Sequence, residues 1–265
     1  MTIDFTKGIG YTIHRFPDGE VHLQVDEIDR KDKVDVRMRI RCAEDLFLLM
    51  QLSDILHRQG VEVENLHIPY LMSARCDRVF SFDRPFSLSI VAKVINDVGA
   101  ACVHIDEPHS FRTAQLIPNY VYTDTMREIL ADYCNDTLCF PDMGAQDRYG
   151  RDIFCANIEL VCQKVRDVNT GQLTSFKVVN PEAFTGGTIT IVDDLCDGGG
   201  TFIGLAPKLR ELKPDTLRLV VVHAVQLNGI KRVSEVFDEV VITNTYEDWD
   251  RYELPDNVNV VKVLP

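Results

Sequence analysis

Two hydrophobic periods take turns along this chain. Residues 34 to 41, VDVRMRIR, alternate polar and apolar one by one, the pattern of a half-buried strand. VHLQV at 21 to 25 alternates in the same way and follows a Pro-Asp-Gly turn signal, so residues 11 to 26 read as a hairpin. From Ala43 to Arg58 the apolar positions Leu46, Leu49, Met50 and Leu56 recur at helical spacing, and Gly60 stops the run. Strand 63 to 71, helix 86 to 98 and buried strand 101 to 105 follow. At Asn119 the alternation starts again with strand YVYTD, helix Thr125 to Tyr133, strand TLCFPD and a further helix. Residues 158 to 177 predict two strands around a polar tip at Asn169 to Gly171. Strands are expected again at 189 to 192, 217 to 224, 239 to 244 and 258 to 263, with helical spacing at Phe202, Leu205, Leu209 and Leu212 and from Ile230 to Phe237. Strands that alternate with helices throughout predict an α/β protein whose sheets are mainly parallel, with helices on both faces. The restart divides the chain into residues 1–120 and 121–265.

Composition narrows the function. The formal charge is 28 − 41 = −13, which argues against non-specific binding of nucleic acid and against an anionic membrane surface. No apolar run is long enough to span a bilayer, and the start MTIDFTKGIG does not read as a signal peptide, so a cytoplasmic location is expected. The eight cysteines form no CxxC pair, and several sit in strand-like runs, as small buried hydrophobes do in a reducing compartment. Cys76 and Cys196 differ in falling within candidate site loops.

The chemistry concentrates between Thr188 and Leu212. An apolar strand turns acidic at Asp193, Asp194 and Asp197, continues through Gly198, Gly199, Gly200 and Thr201, and runs into a helix. Glycines let backbone N–H groups approach an anion, and a helix start adds unpaired N–H groups and a positive dipole end. The loop has neither the lysine of a Walker loop nor the spacing of a dinucleotide fingerprint. Vicinal carboxylates ahead of a phosphate cradle suit a sugar phosphate, with Asp193 and Asp194 accepting from ribose hydroxyls. Four other stretches have both a functional and a bland reading. FPDGE at 16 to 20 is a surface turn, or an aromatic and acids for an adenine ring. The charged loop at 73 to 87 and the strand-end loop DEPHS at 106 to 110 are solvated, or line a ligand crevice. FPDMG at 140 to 144 is a capped helix start, or an anion and metal site. Lys164 and Arg166, two apart on one strand, are solvated, or clamp a polyphosphate.

VDDLCDGGGT resembles the phosphoribosyl-pyrophosphate (PRPP) loop of type I phosphoribosyltransferases and ribose-phosphate pyrophosphokinases. FPDGE, YLMSARCDR, DEPH and PDMGA, in that order ahead of it, resemble segments of the pyrophosphokinases. The resemblance implies two tandem phosphoribosyltransferase-like domains and the conversion of ATP and ribose 5-phosphate to PRPP and AMP. It implies that Phe16, Asp18, Glu20, Arg75 and Asp77 contact ATP, the hairpin reaching a neighbouring subunit's nucleotide, so that the protein is at least a dimer. It implies that Asp193, Asp194, Asp197 and Gly198 to Thr201 hold ribose 5-phosphate. His109 and Asp142 would hold Mg²⁺, and Lys164 and Arg166 would act in catalysis. The chain departs from the family pattern at Cys76, where glutamine is usual, at Ala145, where a second glycine is usual, and by one extra residue before His109. A PRPP-consuming phosphoribosyltransferase, and a non-catalytic relative that binds nucleotides or a partner enzyme, are the alternative readings.

Overall fold

The computed structural model describes residues 1–29, 33–133, 137–150, 158–166 and 173–264, without the side chains of residues 165, 166, 173 and 174. Cys134, Cys155 and the expected tip at Asn169 to Gly171 lie outside the described residues. The chain forms two compact units, Met1–Thr123 and Asp124–Pro265.

The first unit contains β1 (Thr2–Asp4), β2 (Tyr11–Arg15), β3 (Val21–Val25), β4 (Lys33–Arg37), α1 (Ala43–Gln59), β5 (Glu62–Ile68), α2 (Ser87–Asp97), β6 (Cys102–Asp106), α3 (Arg112–Leu116) and β7 (Tyr120–Thr123). Five strands make a parallel sheet in the order β1-β4-β5-β6-β7, and β2 and β3 pair separately as the expected hairpin. Thus YVYT, read in the sequence as the opening of the second half, closes the first sheet. Helix α1 ends where the spacing says it should. Gly60 takes φ 69°, a left-handed conformation cheap for glycine, and its N–H returns to the His57 and Leu56 carbonyls. The hairpin docks on α1 through Gln51, whose side chain accepts from Leu23 N–H and donates to the Val21 carbonyl.

Alternation along β4 buries Val34 and Val36 in one cluster with Leu66, Ile68, Val103 and Ile105 and with Leu49 and Leu52 of α1 and Val91 and Ile95 of α2. The other face of this sheet is polar, and a cavity of about 380 Å³ is lined there by Asp35, Arg37, Asn65, His67 and His104 among others. Arg37 Nη1 donates to Asp4 at 2.9 Å and Arg37 Nε to His67 Nδ1 at 3.2 Å. A guanidinium only donates, so His67 Nδ1 accepts and its proton sits on Nε2, which donates to Asp106 at 2.8 Å. Charged and imidazole side chains occupy that face and satisfy one another across the strands.

The second unit contains α4 (Thr125–Tyr133), β8 (Thr137–Phe140), α5 (Met143–Tyr149), β9 (Ile158–Arg166), β10 (Leu173–Val178), β11 (Thr188–Cys196), α6 (Gly200–Arg210), β12 (Thr216–Ala224), α7 (Leu227–Ser234), β13 (Glu239–Thr243) and β14 (Val258–Val261). The sheet order is β10-β9-β8-β11-β12-β13-β14, parallel except for the antiparallel β9–β10 edge. Both faces are apolar. One packs Ile189, Ile191, Leu217, Leu219 and Val221 with Phe202, Leu205 and Leu209 of α6 and Ile230 and Val233 of α7. The other packs Leu138, Phe140, Val192, Val220 and Val222 with Met126 and Ile129 of α4 and Ala145 and Tyr149 of α5. On the first of these faces Cys139 and Cys162 bring their buried sulfurs to 3.5 Å as free thiols. Helix α7 begins at Leu227, three residues before the periodic pattern suggests, because Gly229 weakens the helical signal of its first turn. Among the described residues no helix is long and apolar enough to cross a membrane.

Phe140 is fully buried at the end of β8, two residues before Asp142. Phe140→Ala is expected to destabilise the protein by about 3–5 kcal/mol in urea unfolding followed by circular dichroism.

Candidate functional site

Strand β11 does not stop at its acids. Asp193 pairs in register with Val221 of β12, and the strand continues to Cys196. Carboxylates can lie inside a sheet only if something neutralises them, and Arg148 of α5 does so. Its Nη2 donates to Asp193 Oδ1 and to Asp194 Oδ1, both at 2.7 Å. All three side chains are largely enclosed, with 14% of Arg148, 15% of Asp193 and 2% of Asp194 exposed. Burial, and then the charge of Asp194, push the Asp193 carboxyl well above the ordinary carboxylate range, with Arg148 opposing both. Burial works against the Arg148 charge, yet Asp194 and Asp193 outweigh it and hold the guanidinium ionised. The small exposure left to this acid pair belongs mainly to Asp193.

The glycine loop follows. Gly199 takes φ 76° and opens α6, so its conformation itself favours glycine. A Cβ there would come within 2.6 Å of Val233 Cγ1 on α7, whereas one at Gly200 would meet nothing within 4 Å. The N–H groups of the first turn of α6 have no intrahelical acceptors. Gly229 presses on the loop from α7: a Cβ there would fall 1.9 Å from the Asp197 carbonyl oxygen. Gln226, just ahead of α7, donates to Asp197 Oδ1 at 2.6 Å, and Arg232 Nη1 donates to the Gly198 carbonyl at 2.9 Å. Cys196 lies beneath the loop; burial, with Asp193 and Asp197 next, pushes its thiol up to about 12.

Asp142 caps α5 by accepting from Ala145 N–H at 3.1 Å, and its other oxygen accepts from Lys164 Nζ at 3.1 Å. Burial raises its affinity for a proton, but the Ala145 N–H, Lys164 and Arg148 outweigh this and hold the carboxyl below its usual range. Asp142, Arg148, Lys164 and the acids of β11 are thus joined by direct contacts and one short helix. Arg166 ends β9 two residues beyond Lys164, and its side chain lies outside the described residues.

The remaining candidates lie in the first unit. Phe16, half exposed, and the exposed Asp18 and Glu20 form the hairpin tip, where Asp18 Oδ1 accepts from Glu20 N–H. Asp77 and the loop of His109 are drawn together, since Asp77 Oδ2 accepts from Ser110 Oγ at 2.7 Å. Arg75 is exposed in the loop after β5. Two strained residues mark these loops, Ser73 with φ 63° and Glu107 with φ 39°. Glu107 is buried and accepts from Tyr122 Oη at 2.7 Å, which anchors the loop that presents His109. Sequence reasoning passed over Arg148, Glu107, Gly229 and Arg232. Only the Pro-Asp-x-Gly helix start, five residues before Arg148, offered a local signal, and it points to the helix rather than to its arginine.

Among the described residues no group of three or more His, Cys, Asp or Glu side chains could by itself hold a metal ion. The partly exposed carboxylate of Asp142 suits an ion that brings phosphate and water ligands of its own, as Mg²⁺ does.

No protein-family model matches the chain. Over 261 residues it is 26% identical to the ribose-phosphate pyrophosphokinase of Pyrococcus furiosus, spanning 96% of this chain and 89% of that protein. The enzyme of the same name from Pyrococcus abyssi is 29% identical over 243 residues, 89% of this chain and 84% of that one. Among solved structures, the phosphoribosylpyrophosphate synthetase of Mycobacterium smegmatis shares the fold with a TM-score of 0.77, at 21% identity over 96% of this chain and 86% of that one.

Removing Arg148 would leave two carboxylates facing each other without a cation. Arg148→Ala is expected to cost about 3–5 kcal/mol in denaturant unfolding at neutral pH. The carboxyls left behind would bind protons more tightly in the folded than in the unfolded chain. Stability of the variant should therefore rise as pH is lowered from 7.5 towards 5.5, more steeply than that of the wild type.

Proposed function

We propose that this chain, a relative of the ribose-phosphate pyrophosphokinases, makes PRPP by transferring the β,γ-diphosphoryl group of ATP to ribose 5-phosphate. The observation that carries this reading is the carboxyl end of β11, where a neutralised acid pair runs directly into a glycine-opened helix. Similarity to proteins of this name along nearly the whole chain supports it. An exposed Phe16 tip suits a base-stacking role at a nucleotide bound by a neighbouring copy, hence a homo-oligomer of at least two chains.

In this reading the anomeric oxygen of the sugar bonds to the β-phosphorus, the bond from that phosphorus to the α,β-bridging oxygen breaks, AMP leaves, and the hydroxyl proton passes to water. The chain's task is placement and charge compensation. The N–H groups at the start of α6, with Thr201, hold the 5-phosphate, and Asp193 accepts from a ribose hydroxyl. Asp194, enclosed behind it, keeps Arg148 and Asp193 in place. Lys164 rests on Asp142 until a polyphosphate competes for it, and then, with Arg166, faces the diphosphoryl group. Phe16, Asp18, Glu20, Arg75 and Asp77 serve the nucleotide. In the second unit Asp142 is the side chain that would meet Mg²⁺, an ion that neutralises phosphate charge when bound, and His109 is the candidate for that role in the first unit.

The purified protein, given ATP, Mg²⁺ and ribose 5-phosphate, should release AMP and PRPP in equal amounts and neither product without the sugar phosphate. ADP in place of AMP would overturn the reaction. Lys164→Ala should lower turnover roughly 100-fold or more, the scale of losing one charge-stabilising contact in a transition state, while ribose 5-phosphate still binds. Phe16→Ala should raise the KM for ATP about tenfold, since stacking a base on an aromatic ring contributes about 1–3 kcal/mol.

A further inference from the structure

We infer that Arg232 is the cation that pairs with the phosphate on the glycine loop, and so makes the site select a sugar phosphate over a neutral sugar. The inference rests on the function proposed above and extends it to a residue outside the loop.

The need for such a residue follows from local charge. The loop region carries the carboxylates of Asp193, Asp194 and Asp197 and no lysine. Arg148 is committed to the first two. A helix start contributes only about half a positive charge, so a phosphate dianion arriving here would meet a net negative neighbourhood. Arg232 lies in the last turn of α7, exposed, with Nη1 donating to the Gly198 carbonyl. A Cβ placed on Gly198 would lie 4.0 Å from that Nη1, so the guanidinium stands beside the α-carbon of the loop's first glycine.

Its placement is not left to a mobile surface side chain alone. The next residue, Val233, sits where a Cβ on Gly199 would collide, and Gly229 abuts the Asp197 carbonyl. Helix α7 and the loop therefore fit each other at backbone distance, and Arg232 is carried on the same turn that shapes the loop. A guanidinium has five N–H donors in a planar fork. With one directed to Gly198, the others remain to meet phosphate oxygens, the bidentate geometry in which arginine exceeds lysine. Gln226 meanwhile holds one oxygen of Asp197.

The test is calorimetric titration of ribose 5-phosphate, and separately of inorganic phosphate, into wild type, Arg232→Gln and Arg232→Lys, with thermal melts of all three. Glutamine keeps a polar donor on a shorter side chain but carries no charge; lysine keeps the charge and loses the fork. The expected result is a loss of affinity of about tenfold or more for both ligands in Arg232→Gln, partial recovery in Arg232→Lys, and unchanged melting. Affinity in Arg232→Gln within twofold of wild type would overturn the inference. So would equal losses in both variants accompanied by lower melting temperatures, which would make Arg232 a prop for Gly198. Wild type that binds ribose 5-phosphate but releases no AMP would refute the proposed reaction while the variant affinities still decide the role of Arg232. Wild type that binds neither ligand would refute both.

Discussion

Two carboxylates side by side within a sheet repel each other, and neither is well hydrated there. That they occur together on β11 is possible because one guanidinium, Arg148, bonds both at 2.7 Å. A buried pair of acids sharing one guanidinium is a high-stakes arrangement, in which every member depends on the other two. It also sets the geometry around it. Arg148 stands six residues after Asp142 on α5, so the position of that helix, its capping aspartate and the Lys164 that rests on it all follow from where the acids draw the arginine. The cost of burying the acids is offset by the burial of apolar neighbours on both faces of the same strand, Ile191 on one side and Val192 on the other.

Close backbone approach is the second constraint. The loop after β11 and helix α7 meet where Gly199 and Gly229 leave no room for side chains. Such contact transmits shape well, because a shift of the helix cannot be absorbed by rotating a side chain. A binding loop of glycines would otherwise be among the softer parts of a protein. Here α7 braces it at Gly199 and at the Asp197 carbonyl, while Gly200 stays open.

Much of this was legible in the sequence, for reasons that can be named. The order of strands and helices, the stop of α1 at Gly60, the helix start at Asp142 and the strand–glycine–helix unit all rest on neighbours in the chain, and local patterns report local causes. The acids of β11 looked like the end of a strand, since charges rarely continue one; what lets them continue is Arg148, 45 residues away. Gly229 matters because of a carbonyl at Asp197, and Arg232 because of one at Gly198. No periodicity records such meetings. The polar face of the first sheet is a different case. The alternation VDVR and the imidazoles of VENLHI and CVHID display it openly, yet which of these polar side chains meet one another depends on the strand register.

The paired thiols of Cys139 and Cys162 connect this site to the breathing of the sheet. They sit on adjacent strands, enclosed completely, and their mutual hydrogen bond together with burial pushes the Cys139 thiol well up. An alkylating reagent needs a thiolate and a path to it, and while β8 and β9 stay together both sulfurs are enclosed. Those strands lead, within a few residues, to Asp142 and Lys164. The rate at which the two sulfurs become reactive is therefore a clock for the separation of the strands that hold this ion pair together, built into the protein at its core.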